Sequence, residues 1–487
     1  MRIITQNHTY KYESEKICRI YFPSEKVTFA EAADAAAEDR TILTRVEQAQ
    51  NGLTFCCEAF IDGKTAAATL TAKPEDVPDD AAGEKQLARV MADVLTQLTG
   101  IKPPWGILTG VRPSKLMRTC VDLYGAEGAK EKFRTFFGVS PEKTALALDI
   151  DARQRPIVDG VGPQDYSLYV SIPFCPTRCA YCSFVSHSVA QAKKLIPDYV
   201  RLLCEELALT ARIAQQKGLR LQTVYIGGGT PTALSAEDLK TVLEALNTHL
   251  HANRTSEFTV EAGRPDTVTP EKLRVLKNAG VTRISINPQT FSDPVLQAVG
   301  RRHTAAETVE KFRLARELGF DDINMDLIAG LPTDTYEGFC ESLQTACALG
   351  PENVTVHTLA LKRAATLAAD ASPQTAAAGE TARMVDLSRR QLYENGYVPY
   401  YMYRQSKSAD NLENVGWAKP ERLCLYNVYM MEELHTVLAC GAGAVTKLVT
   451  PGDRDIRRVY NFKYPYEYIS RFGELLSRKK EIEEFYG

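Results

Sequence analysis

The chain has 487 residues, 44% of them hydrophobic and 24% charged, with 58 Lys and Arg against 61 Asp and Glu for a net charge of −3. That length allows about three domains with an ordinary globular core, and the near-balance of charge offers no case for a polyelectrolyte partner, so no nucleic acid is expected. No apolar run reaches the roughly 18–20 residues that span a bilayer. The opening MRIITQNHTYKYE has no signal-peptide core, and 12 cysteines spread over so long a chain make no secreted disulfide framework, which together point to the cytoplasm.

Residues 1–160 read as a separate α+β domain. Three strands are expected over 41–50, 53–61 and 65–72, joined by Asn51-Gly52 and Asp62-Gly63, both two-residue hairpin signals. An amphipathic helix follows over 84–98, with Leu87, Val90, Met91, Val94 and Leu98 on one face and Gly100 past its end. The stretch 102–116, KPPWGILTGVRPSKL, reads as a structural linker with a packed Trp105. Gly110, Arg112 and Lys115 alone are thin evidence for an anion site.

From 161 to 367 the pattern alternates. Short apolar runs at 168–172, 223–226, 258–261, 283–286, 323–328 and 354–359 are separated by helical stretches at 195–215, 236–251, 271–279, 305–318 and 336–348. Continuous apolar strands with helical crossovers predict a parallel sheet buried on both faces. Six βα units of one hand predict an α/β fold, a partial (β/α)6 barrel with its chemistry at the C-terminal strand ends. Residues 364–379 read as a linker or hinge and 381–394 as a helix ended by Asn395-Gly396. A third, Tyr-rich α+β domain covers 368–487 and finishes in one charged helix over 467–485.

The chemistry is concentrated in SIPFCPTRCAYCSF, which spaces Cys175, Cys179 and Cys182 as C-x3-C-x2-C. Three thiolates in one loop can hold three irons of a [4Fe–4S] cluster and leave the fourth open to a small molecule. With His187 they could instead hold structural zinc, although zinc sites more often pair two separated C-x2-C units. After the second strand comes Gly227-Gly228-Gly229-Thr230-Pro231-Thr232, where missing side chains let a ligand approach the backbone. Glu261, Gln289, Arg301 and Asp326 fall at or after successive strand ends. They offer the acceptors, donors and one cation that a sulfonium cofactor with a ribose and a carboxylate requires.

These motifs, with Tyr169-Val-Ser-Ile-Pro-Phe-Cys175 and Asp326-Leu-Ile-Ala-Gly-Leu-Pro332, resemble the oxygen-independent coproporphyrinogen III oxidase family of radical S-adenosylmethionine (SAM) enzymes. The stretches 106–113 and 411–416 are similar to its HemZ-type branch. The resemblance implies a [4Fe–4S] cluster on Cys175, Cys179 and Cys182 and SAM on the open iron. It implies SAM contacts, some to a second SAM, from Tyr169, Tyr181, Gly228, Gly229, Thr230, Glu261, Gln289, Arg301 and Asp326. It also implies an electron donor of unknown identity and a tetrapyrrole substrate whose propionates lose CO2 to become vinyl groups, in porphyrin and heme biosynthesis. A heme-binding chaperone of the same family, or another radical reaction on a tetrapyrrole, is the alternative.

Two departures bear on the substrate. Phe184 stands where the better-known oxidases carry a further cysteine, and Tyr426-Asn427 stands where a heme-chaperone branch carries His-Asn. His357 and His435 are then the candidate heme ligands. His357 with Lys362 and Arg363, and Tyr400, Tyr401 and Tyr403 with Arg404 and Lys407, are candidate contacts for an anionic macrocycle.

Overall fold

The computed structural model describes residues 1–23, 25–31, 40–184, 186–360, 379–405, 408–450 and 455–487. The expected linker at 364–378 and the candidate contacts Lys362, Arg363 and Lys407 lie outside the described residues. The chain forms two compact units, Met1–Asp151 with Arg404–Leu412, and Ala152–Tyr403 with Glu413–Gly487.

The first unit holds a five-stranded sheet of β1 (Arg2–Gln6), β2 (Thr28–Glu31), β3 (Arg40–Ala49), β4 (Gly52–Ile61) and β5 (Lys64–Ala72), in the order β2-β1-β3-β4-β5. The β4–β5 turn is the expected Asp62-Gly63, with φ of 52° and 78°, the two left-handed residues of a type I′ hairpin. The β3–β4 turn sits one residue earlier than expected. Gly52 is already paired with Ala49, and a Cβ on it would meet the Ala72 carbonyl at 2.0 Å. The helix expected from 84 begins at Asp80, because Asp79 accepts from Ala82 N at 2.8 Å, and it ends on the left-handed Gly100. Sequence reading missed β1, β2 and the helices Tyr12–Tyr21, Pro113–Glu131 and Pro141–Asp159. Trp105 is 1% exposed, which suits the linker reading of its stretch.

The second unit is built on β6 (Asp165–Ile172), the two-residue strands β7 (Phe174–Cys175) and β8 (His187–Ser188), β9 (Arg220–Gly228), β10 (Glu257–Glu261), β11 (Arg283–Ser285), β12 (Ile323–Ala329) and β13 (Asn353–Thr358). Apart from the separate β7–β8 pair, these strands run parallel in the order β6-β9-β10-β11-β12-β13. Their side chains alternate with period two. One face carries Leu168, Val170, Val224, Ile226, Phe258, Val260, Ile284, Met325, Leu327, Val354 and Val356, none more than 2% exposed.

The other face is polar, and its groups bond across neighbouring strands. Ser167 pairs with Thr223 at 2.7 Å, Tyr225 donates to Glu261 at 2.6 Å, and Thr355 donates to Asn324 at 3.2 Å. The sheet is buried on both faces, as expected, but the inner face is hydrophilic. The sheet curls around it. Glu261 on β10 interacts electrostatically with Asp326 on β12 and His357 on β13, two and three strands away. A flat sheet would add about 4.8 Å per strand between them.

The division expected at 367/368 lies outside the described residues. β14 (Val398–Arg404), β15 (Glu413–Ala418), β16 (Thr436–Cys440), β17 (Val445–Val449) and β18 (Ile456–Tyr460) extend the same sheet to eleven strands among the described residues. β15 pairs antiparallel with β13, and β16 pairs parallel with β6. Each would otherwise leave a row of unpaired backbone groups at a barrel edge. The helix Glu380–Glu394 agrees with expectation.

The single helix expected over 467–485 is three short ones, Pro465–Ser470, Phe472–Arg478 and Lys480–Phe485. The break before the last lets Lys479, 1% exposed, reach Glu206, which is fully buried on the helix Ile196–Gln216, at 2.8 Å. Glu206 also accepts from Tyr468 OH, Gly441 N and Asn461 Nδ2 at 2.7–2.8 Å. Removing one partner of so buried a pair strands a charge. Lys479→Met should cost about 3–5 kcal/mol, and Lys479→Met with Glu206→Gln should cost less than the sum of the single changes. Urea unfolding of the four proteins measures both.

Candidate active site

The strand ends bring together most of the residues singled out in the sequence. The cysteine loop leaves β6, forms the short β7–β8 pair in which Cys175 lies opposite Ser188, and folds over the end of β9. Cys179 is buried, whereas Cys175 and Cys182 are half-buried. Burial pushes the thiols of Cys175 and Cys182 above their ordinary value, eased by hydrogen bonds that include one from Thr230 to Cys175. Iron reverses such a shift by taking the proton's place.

Among the described residues, no three His, Cys, Asp or Glu side chains converge as ligands of one ion. A cubic cluster asks for another arrangement, one thiolate per iron. Thr230 Oγ1 lies 3.5 Å from Cys175 Sγ, and Arg264 Nη1 lies 3.5 Å from Cys179 Sγ. Donors aimed at sulfur suit thiolate, so this donor set fits the cluster.

The glycine run is needed for packing as well as for approach. Gly229 N donates to Ile172 O and Thr230 N to Phe174 O, each at 2.8 Å, so the run is laced to the cysteine loop. A Cβ on Gly229 would meet Phe174 O at 2.7 Å, and Gly228 has a φ of +105°. These two N–H groups are spent on that lacing.

Arg301 connects the loop to the inner face. Its Nε donates to Tyr181 OH at 3.2 Å and its Nη1 to Asn287 O at 2.8 Å, and it lies against Cys179. Asn287 in turn donates to Asp326 Oδ2 at 2.7 Å. Gln289 has a φ of 68°, an uncommon conformation for a residue with a Cβ. Its backbone is pinned on both sides, N to Asp326 O and O to Ile328 N. Sequence reading missed Asn287 and Arg264. The signal for Asn287 was its place two residues before Gln289, and for Arg264 its place three residues after Glu261.

The two inner carboxylates are driven in opposite directions. Burial raises Glu261 to about 7, against the opposing hydrogen bond from Tyr225. Burial also pushes Asp326 up, but the facing His357, with Asn324 and Thr355, outweighs it and holds it below the usual value. His357 Nε2 stands 3.8 Å from Asp326 Oδ2, and its Nδ1 stands 3.3 Å from Tyr403 OH.

Beneath them lies an aromatic floor. Tyr169, Tyr225 and Tyr426 stack with interplanar angles of 20–22°, the closest pair being Tyr225 and Tyr426 at 4.5 Å. Tyr426 enters on the helix Leu425–Glu432, whose first turn is held by Glu257. That carboxylate accepts from Leu425 N at 2.8 Å and Tyr426 N at 3.3 Å.

Other expected contacts do not join this group. His435 is 3% exposed and bonds to Ser167 Oγ at 2.8 Å, so it is packed inside the fold, and burial lowers it to about 4. Arg404 belongs to the first unit, where it donates to the carbonyls of Leu108 and Asn411. Tyr400 and Tyr401 are buried, while Tyr403 keeps some accessible surface. A cleft of about 870 Å³ opens at the opposite, N-terminal strand ends, lined by Glu257, Arg283, Asp322 and Arg422 among others. Of the site residues described above it is lined only by Glu257 and Leu425, and its mixed charges select no ligand.

A carboxyl raised by burial favours folding while it is protonated. Below its unfolded value, near 4.5, Glu261 adds no pH dependence. As pH rises through about 7 the folded protein must accept a buried charge and loses stability. Wild type should therefore lose stability relative to Glu261→Gln between pH 5 and pH 8, as thermal unfolding in matched buffers would show.

Residues 169–346 match the family model described as "Radical SAM superfamily". The chain is 37% identical over 409 residues to the oxygen-independent coproporphyrinogen-III oxidase-like protein HemZ of Bacillus subtilis, covering 82% of this chain and 81% of that protein. It is 30% identical over 319 residues to the heme chaperone HemW of Escherichia coli, covering 65% and 78%. Among solved structures, the coproporphyrinogen III oxidase HemN of Escherichia coli, a radical SAM enzyme, matches with a TM-score of 0.52 and 24% identity over 66% of this chain and 71% of that one, which supports the fold. With three cysteines and a ring of polar groups at the ends of six parallel strands, the chain belongs to the radical SAM superfamily and, within it, to the HemZ-like branch of the oxygen-independent coproporphyrinogen III oxidase family.

Proposed function

We propose that the chain is a radical SAM oxidoreductase that oxidatively decarboxylates the propionates of coproporphyrinogen III or a close tetrapyrrole relative. The observation that carries this reading is the cysteine loop at the strand ends together with an interior floored by three stacked tyrosines. Cys175, Cys179 and Cys182 hold the cluster. Bound there with SAM, it supplies a 5′-deoxyadenosyl radical, chemistry that belongs to the cofactor.

The chain's own residues bind and orient. Arg301 is the cation for a carboxylate, and Glu261 and Asp326 are acceptors for ammonium and ribose hydroxyls. Gly228, Gly229 and Thr230 shape the loop, and Gln289 closes the ring. Tyr169 and Tyr225 give a macrocycle an aromatic face. Tyr426 OH is buried without a hydrogen-bond partner among the described residues, a donor left for an oxygen-bearing ligand. His357, beside Asp326 and Tyr403, is placed to meet a propionate.

The test is an anaerobic turnover with reduced protein, SAM and coproporphyrinogen III, followed by mass analysis. The expected products are 5′-deoxyadenosine and a porphyrinogen lighter by one formate-sized unit per propionate. Replacing all three cysteines by alanine should abolish both iron binding and SAM cleavage. Cleavage of SAM with the porphyrinogen unchanged across several electron acceptors rejects the substrate.

One observation favours a second reading, a heme-binding chaperone like those named among the relatives. His357 is 27% exposed at the inner face and is the histidine open to a heme iron there. Tight heme binding lost in His357→Ala, without radical turnover, would select it.

A further inference from the structure

Arg264 and Asp266 form an ion pair just after β10. Arg264 is 3% exposed, and its Nε and Nη2 reach the two Asp266 oxygens, each at 3.0 Å. The remaining donors all go to the cysteine loop. Nη2 donates to Thr177 Oγ1 at 3.1 Å, and Nη1 donates to Thr177 O at 3.4 Å and to Cys179 Sγ at 3.5 Å. One guanidinium thus holds the midpoint of the Cys175–Cys179 segment and the sulfur at its end.

We propose that Arg264 is a positioning residue that fixes this loop on the barrel and raises the reduction potential of the cluster held by Cys179, with Asp266 setting how much of its charge the cluster feels. The proposal rests on the reading that Cys179 is a cluster ligand. A cluster gains one negative charge when its core passes from 2+ to 1+ by taking one electron from an external reductant. An N–H aimed at a ligand sulfur, and a cation beside it, stabilise the more negative state. Burial keeps salt and water from screening that effect. Asp266 opposes it, since its carboxylate faces the same guanidinium. Arg301 also lies against Cys179 but is tied to Tyr181 and Asn287 on the inner face, so the two cations hold different sides of the loop.

The test compares wild type, Arg264→Met, Arg264→Lys and Asp266→Asn after anaerobic reconstitution. Iron and sulfide are counted first, and the reduced cluster is then followed by electron paramagnetic resonance during a redox titration. Arg264→Met should lower the reduced-to-oxidised ratio at a fixed potential at least tenfold, a 59 mV fall for one electron. Asp266→Asn should move the midpoint upward, and Arg264→Lys should fall between Arg264→Met and wild type.

An unchanged midpoint in a fully loaded Arg264→Met overturns the proposal. If that variant takes up no iron, Asp266→Asn decides: an upward shift supports the proposal and no shift overturns it. Loss of iron from both variants makes the pair a scaffold only, which also overturns it. Wild type that takes up no iron sinks the cluster assignment itself, a result separate from these.

Discussion

The second unit is governed by the need to close a polar surface. Six parallel strands turn their apolar side chains outward, against the helices, and present serine, threonine, asparagine, tyrosine and carboxylate inward. Such a face cannot be buried against hydrocarbon without stranding hydrogen-bonding groups. It is closed by its own kind: cross-strand hydrogen bonds, a tyrosine floor and a helix start seated on Glu257. The polarity that makes closure costly also gives the strand ends their chemistry.

Much of this was legible in the sequence, and the part that was not has a physical cause. The outward positions are the ones a hydropathy pattern sees, so strand and crossover-helix positions were read to within a few residues. Helix starts had local signals as well, such as Ser235, Thr269 and Thr335, each of which caps its own helix. Inner residues are spaced two apart among apolar neighbours and do not disturb an average. Tyr225 and Asn287 were therefore passed over, although they organise Glu261 and Asp326.

The fate of residues beyond 397 was hidden because edge pairing is a long-range choice. A run that will flank a barrel reads like any other strand. The long helix expected near the end failed for a similar reason: nothing local announces that Lys479 turns inward to a carboxylate on a distant helix. The cysteine loop is the opposite case, because its C-x3-C-x2-C spacing is complete within one short stretch of the sequence.

Within the interior, two carboxylates do different work. Glu261 faces a tyrosine hydroxyl and its charge is resisted by burial, whereas Asp326 is held ionised by His357 and amide donors. Environment alone separates them. A cation brought beside Glu261 would favour its charged form.

The covering of the barrel's first edge by β16 has a consequence for how the protein is made. Ser171 finds its partner Ala442 only 271 positions later. At about 5–20 residues per second, a ribosome leaves that side of the sheet bare for roughly 14–54 s. During that interval the nascent chain carries a polar trough and an exposed strand margin, a state suited to recruiting folding helpers and one in which premature termination would release a sticky fragment.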